Sequence, residues 1–233
     1  MPAPYADVPH SGRMRLFLGG GGSPDDERAL LDAWVQPGLR VVYWPFALEP
    51  EAYGEGARWW RAALGDAVHL DTWRDLSAHS PGELDGADVL LVGGGNTYAL
   101  LDHIQRTGWA GPAAAWVRAG GTFMGDSAGA VLAGDDIDVA RFADPNDVGI
   151  TDTTGLALLP GVLVRPHYEP SDVDELRAWA RGGATVLGLP ERGGVVVEDG
   201  VVTNPGYDAV AIVTATSEQV LRAGQSSAVR VRE

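Results

Sequence analysis

The chain has 233 residues, 45% of them hydrophobic, and a formal net charge of −15; that is enough for one domain with a substantial core, and the charge repels polyanions such as nucleic acid. There is no cysteine, which excludes disulfides, thiolate metal sites and a cysteine nucleophile. All 17 basic residues are arginine, so a Walker-type phosphate loop, a pyridoxal Schiff base and a Ser-Lys dyad, each of which needs an ε-amine, are excluded as well.

No apolar run approaches the roughly 20 residues of a membrane span, and Met1 to Gly12 is polar and proline-bearing without the apolar core of a signal peptide. The expectation is a soluble, cytoplasmic protein with no membrane contact, forming a single domain over 1–233. Arg15 to Leu18 reads as a strand, Gly19 to Gly22 as a loop, and Ser23-Pro24-Asp25-Asp26-Glu27 as a helix start with a cap, an N1 proline and an acidic first turn. Leu39 to Tyr43 is a second strand, Glu51 to Leu64 a helix, Ala67 to Leu70 a third strand, and Asp88 to Val92 a fourth that ends in Gly93-Gly94-Gly95-Asn96. Helices over Tyr98 to Arg106 and Ala113 to Ala119 precede the strand leading to Ser127. From Asp135 to Thr154 the pattern weakens into an irregular excursion or hairpin. Val162 to Val164 is a strand delivering Pro166-His167, Ser171 to Arg181 a helix, Thr185 to Leu187 a strand ending at Gly188-Leu189-Pro190-Glu191, and the valine runs flanking Asp199-Gly200 a β-hairpin. Alternating strands and helices of this kind predict an α/β fold: a mostly parallel sheet covered on both faces, with a C-terminal hairpin.

The chemistry concentrates at Gly125-Asp126-Ser127-Ala128-Gly129. Gly-x-Ser-x-Gly between a strand and a helix is a nucleophile elbow, a tight turn that lifts the serine into view and leaves helix-start N–H groups to meet an oxyanion. Serine needs a base, and with lysine and cysteine absent the base is a histidine. Of five histidines, His10 lies in the N-terminal segment, His79 in a loop, His69 in a short strand and His103 on an amphipathic helix, whereas His167 follows a strand at the carboxyl edge where Ser127 also emerges. Glu191, at the end of the next strand, is the first choice to orient the imidazole; Asp144, Asp136 and Asp208 are the competitors. Gly93-Gly94-Gly95 reads as a phosphate cradle, as a plain turn, or, preferred here, as half of an oxyanion hole in which the Gly95 N–H meets that of Ala128. A metal site drawn from His167, Glu169, Asp172 and Asp174 fits no tetrahedral spacing, and Ser171 is expected to cap the helix there.

Four segments in order, Leu90-Leu91-Val92-Gly93-Gly94-Gly95-Asn96-Thr97-Tyr98-Ala99-Leu100-Leu101, Gly125 to Ala130, Pro166-His167-Tyr168 and Gly188 to Glu191, give a chain that resembles the peptidase E (aspartyl dipeptidase) family of serine peptidases over roughly residues 15 to 205, with cyanophycinase more distant. The resemblance implies a flavodoxin-like sheet of the type shared with class I glutamine amidotransferases, Ser127 as nucleophile, His167 as base, Glu191 as its orienter, Gly95 and Ala128 as oxyanion donors, and hydrolysis through an acyl-serine without metal or cofactor. Asp126 stands where relatives carry tryptophan or a small residue, and the segment between His167 and Glu191 is short of the stretch in which aspartyl dipeptidases place basic residues. Aspartyl specificity is therefore not carried over. Asn96, Asp126 and Arg165 are the substrate-binding candidates, with Arg177, Arg181 and Arg192 as further cations. The expected partners are a small peptide substrate and at most a second copy of the chain in a homodimer. The alternatives are a binding protein that keeps the scaffold without turnover, and an esterase or amidase using the same serine.

Overall fold

A computed structural model describes residues 12–229; the expectations for the N-terminal segment and His10 lie outside the described residues. Five strands, β1 (Arg15–Gly19), β2 (Arg40–Trp44), β3 (His69–Thr72), β4 (Val89–Val92) and β5 (Thr122–Asp126), run parallel in the order β3-β2-β4-β5-β1. Their apolar runs are continuous because both faces are covered. Leu16, Leu18, Leu90, Val92 and Phe123 join one core cluster, while the alternate residues Phe17, Leu91 and Met124 join the other.

The helices divide between these faces. Leu30 and Leu31 of α1 (Arg28–Asp32) and Ala57, Trp60, Ala63 and Leu64 of α2 (Tyr53–Leu64) pack on Phe17 and Met124. The spacing of the buried α2 residues is that of a single helical stripe. On the opposite face lie α3 (Thr97–Thr107), α4 (Ala110–Arg118) and α5 (Ala128–Leu132). The Asn96 side chain caps α3 by accepting from the Ala99 N–H, and Gly108, left-handed at φ 73°, ends it.

The structure corrects the expectation of one sheet. Strands β6 (Val162–Pro166) and β7 (Thr185–Leu189), which deliver His167 and Glu191, are parallel to each other but belong to a second, four-stranded sheet, reached past a 3-10 turn at Ile137–Phe142 and joined by α6 (Val173–Ala180). The expected hairpin is present as β8 (Gly194–Glu198) and β9 (Val201–Thr203), with β8 antiparallel to β1 in the main sheet. The chain then returns through β10 (Val210–Val213) and β11 (Glu218–Leu221) to the second sheet and ends with β12 (Ser226–Ala228) beside β9. Two further local corrections follow. The segment from Ser23 to Glu27 is a turn before α1, not its first turn, and α6 begins with a reciprocal Glu169–Asp172 box rather than a Ser171 cap. Among the described residues no helix is long and apolar enough to cross a membrane.

The helix after the elbow is seated directly on the neighbouring strand: a Cβ on Gly129 would fall on the Val92 carbonyl oxygen. Gly129→Ala is therefore expected to cost about 2 kcal/mol and to lower Tm by roughly 5 °C; thermal denaturation checks this, and an unchanged Tm would mean that α5 is free to move off β4.

Candidate active site

Strand β5 lies between β1 and β4, so Ser127 at its end emerges between the glycine loops that follow those two strands. Its backbone has φ 48° and ψ −108°, a conformation that L-residues rarely adopt and that the flanking small residues and the start of α5 hold in place. The Ser127 hydroxyl is 3.0 Å from His167 Nε2. His167 Nδ1 is 3.1 Å from Glu191 Oε1, so the tautomer in which Nδ1–H donates to Glu191 leaves Nε2 free to accept from the serine. The side chain of Glu191 is 61% exposed and that of His167 43%.

The competing carboxylates are engaged elsewhere. Asp144 accepts from the N–H and hydroxyl of Thr97 at the start of α3, Asp136 accepts from the Asp138 N–H, and Asp208 is an exposed residue whose position is fixed through its backbone N–H to the Arg192 carbonyl. The other described histidines are also placed away from this chain of contacts. His79 stacks on Trp73 and bonds Glu83, His103 stacks on Phe46, and His69 lies on edge strand β3. Among the described residues no three acidic or histidine side chains gather as a metal site.

Beside the serine is a cavity of about 350 Å³ lined by Gly95, Ala128, Thr97, Val139, Arg165 and His167 among others. The N–H groups of Gly95 and Ala128 donate to no acceptor among the described residues. Gly95 is at φ 133°, and a Cβ there would meet the Ala47 carbonyl oxygen, so only glycine holds this loop against the sheet. Of the expected substrate-binding residues, Asn96 is consumed by structure, its carbonyl capping α3 and its amide donating to the Pro145 carbonyl. Arg165 lines the cavity but its Nε faces Glu175 at 3.6 Å. Arg177 is held by Asp174 and Glu218, and Arg192 lies 3.6 Å from Asp26.

Asp126 turns away from that cavity. It is 6% exposed, lies opposite Gly19 in the β1–β5 register, and faces the carboxyl of Glu27, itself 1% exposed. Glu27 Oε2 and Asp126 Oδ1 are both buried with no N–H or O–H directed at them, which one proton held between the carboxyls satisfies. Burial, then the Asp126 charge, holds the Glu27 carboxyl well above the usual carboxylate range. Burial also raises Asp126, to about 6, against the hydrogen bond from Glu27 and the nearby His167. Burial thus makes both carboxyls hold a proton more tightly than exposed acids do.

Glu27 is the residue that sequence reasoning missed. As part of an acidic Ser-Pro-Asp-Asp-Glu start it reads as a helix-dipole carboxylate, but it folds inward and accepts from the Gly21 N–H at 3.0 Å. The Gly19–Gly22 run in front of it was the available signal. The Gly20 carbonyl accepts from the His167 N–H at 3.0 Å. Side chains on Gly19, Gly20, Gly21 and Gly22 would strike Glu27, the Pro190 carbonyl, the His167 ring and the Glu191 carbonyl respectively.

Comparisons with known proteins bear on the fold and the family. The chain is 33% identical over 153 residues to peptidase E of Citrobacter koseri, covering 59% of this chain and 64% of that protein. It is 35% identical over 126 residues to an uncharacterized peptidase of Pasteurella multocida, covering 52% of this chain and 59% of the relative. These matches thus span less than two thirds of either relative's length. The crystal structure of a peptidase from an acI-B1 actinobacterium shares the fold, with a TM-score of 0.67 and 19% identity over 94% of this chain and 98% of that one. The model of peptidase family S51 matches residues 16–204, a stretch that runs from β1 through Ser127, His167 and Glu191 to the end of the hairpin, and on that match the chain belongs to peptidase family S51.

Proposed function

We propose that the chain is a serine peptidase that hydrolyses short peptides through an acyl-serine intermediate. The observation that carries this reading is the unbroken series of contacts from Ser127 through His167 to Glu191 at a strained elbow, beside two unspent N–H groups. In this reading Ser127 Oγ attacks the scissile carbonyl carbon while His167 Nε2 takes its proton, and the carbonyl electron pair moves to the oxygen, where Gly95 and Ala128 N–H receive it. Collapse breaks the C–N bond as His167 returns the proton to the departing amine. Water, deprotonated by the same imidazole, then releases the acid from Ser127. Glu191 holds the ring and supports the imidazolium; the Asp126 anion adds a second negative charge near it without facing the oxyanion donors. A cavity of about 350 Å³ suits a short peptide rather than a folded chain.

A fluorophosphonate probe should label Ser127 in the wild-type protein and not in His167→Ala, as read by mass analysis of the labelled peptide. Turnover of dipeptides should fall by roughly 10⁴-fold in Ser127→Ala and His167→Ala and by only about 10- to 100-fold in Glu191→Gln, whose carboxylate is screened by water. Unchanged turnover in Ser127→Ala would overturn the assignment; labelling failure in a folded protein would favour a binding role.

The carboxyl pair makes a separate prediction for stability. Both groups hold protons more tightly folded than unfolded, where carboxyls release them near about 4. Their contribution is therefore complete below that value and is lost as pH rises through about 6 for Asp126 and through the raised range of Glu27. Melting curves between pH 5 and 8 should fall more steeply for the wild type than for Glu27→Gln, whose amide still donates to Asp126; parallel curves would show that no proton is held there.

A further inference from the structure

On the far side of Gly94 from the elbow lies a second cavity of about 370 Å³ that the proposed chemistry does not use. Its walls include Tyr43, Trp59 and Trp60, with the two indoles edge to face at 4.6 Å. Asp126 lies on its inner wall, and Glu55, exposed and without an ion pair among the described residues, also lines it. No basic side chain lines it. Gly94 separates it from the nucleophile by a single residue without a side chain: the point where a Gly94 Cβ would stand is 3.7 Å from both Asp126 Oδ2 and Ser127 Oγ.

An anion fixed in the wall, a second acid on the wall and aromatic faces between them select a cation carried on an apolar stem. The volume exceeds what an ammonium group alone would fill and accommodates a whole side chain. A neutral side chain would leave the two acids of the wall without a cationic partner, and an acidic one would be repelled by them. Resting on the peptidase reading for its place beside the scissile bond, we propose that this cavity is a specificity subsite for a lysine or arginine side chain of the peptide substrate, with Glu55 and Asp126 as its charge partners and Trp59 as its aromatic face.

The test separates recognition from turnover. Titration calorimetry of the Ser127→Ala protein with lysyl-alanine and with norleucyl-alanine compares a cationic side chain with an apolar one of similar length. Lysyl-alanine should bind about tenfold more tightly. That ratio should shrink several-fold in the Glu55→Gln and Trp59→Ala backgrounds, both substitutions at partly or fully exposed positions on α2. Equal affinities, or a ratio untouched by both substitutions, would overturn the subsite. Wild-type hydrolysis of dipeptides without a lysyl preference removes the subsite and leaves the peptidase reading, whereas lysyl-selective binding with no hydrolysis removes the peptidase reading and leaves the subsite.

Discussion

Between the two sheets, the backbone of Gly19 to Gly22 is packed where no side chain fits. On one side it meets the histidine ring, the histidine amide and the Pro190–Glu191 backbone; on the other it meets the Glu27 carboxyl. Close packing of this kind tolerates little shift. It ties the register of the nucleophile strand, through the β1–β5 pairing, to the positions of His167 and Glu191. The strained elbow at Ser127 persists because β1 and β4 hold the strand on both sides and α5 locks onto the Val92 carbonyl behind it.

The parallel half of the fold was legible because strands covered on both faces read as continuous apolar runs separated by helical stripes. The placement of Ser127, His167 and Glu191 at strand ends was legible for a related reason: each follows an apolar run, and a run that ends in Gly-x-Ser-x-Gly, Pro-His or Gly-Leu-Pro-Glu marks a strand's carboxyl end. The second sheet was not legible. The apolar runs of β6 and β7 are chemically the same as those of β1 or β4, and nothing local states which sheet a strand joins. Glu27 and Asn96 failed in opposite directions. Glu27 matches the composition of a helix start yet is drawn inward by the free N–H of Gly21; Asn96 sits in a loop that looks like a ligand site, but both ends of its amide are spent on α3 and Pro145.

Asp126 shows how a residue that looks hostile to a site becomes compatible with it. A carboxylate next to a nucleophilic serine would oppose a developing oxyanion if it faced the same cavity. Strand alternation prevents this, because successive residues of β5 point to opposite faces. Asp126 is directed to the α2 side, where it faces the Glu27 carboxyl and a cavity lined by Tyr43, Trp59 and Trp60. On the serine side, Arg165, the arginine among the cavity-lining residues, already faces Glu175.

Ser127 and the N–H groups of Gly95 and Ala128 follow strands of one sheet, while His167 and Glu191 follow strands of the other. The reactive geometry is therefore a property of a seam rather than of either layer. A separation of about 1 Å along that seam is enough to dismantle a reactive alignment. Control of such a centre does not require occupation of its cavity. A substitution that shifts one layer against the other changes that alignment from a position that touches neither the serine nor the imidazole.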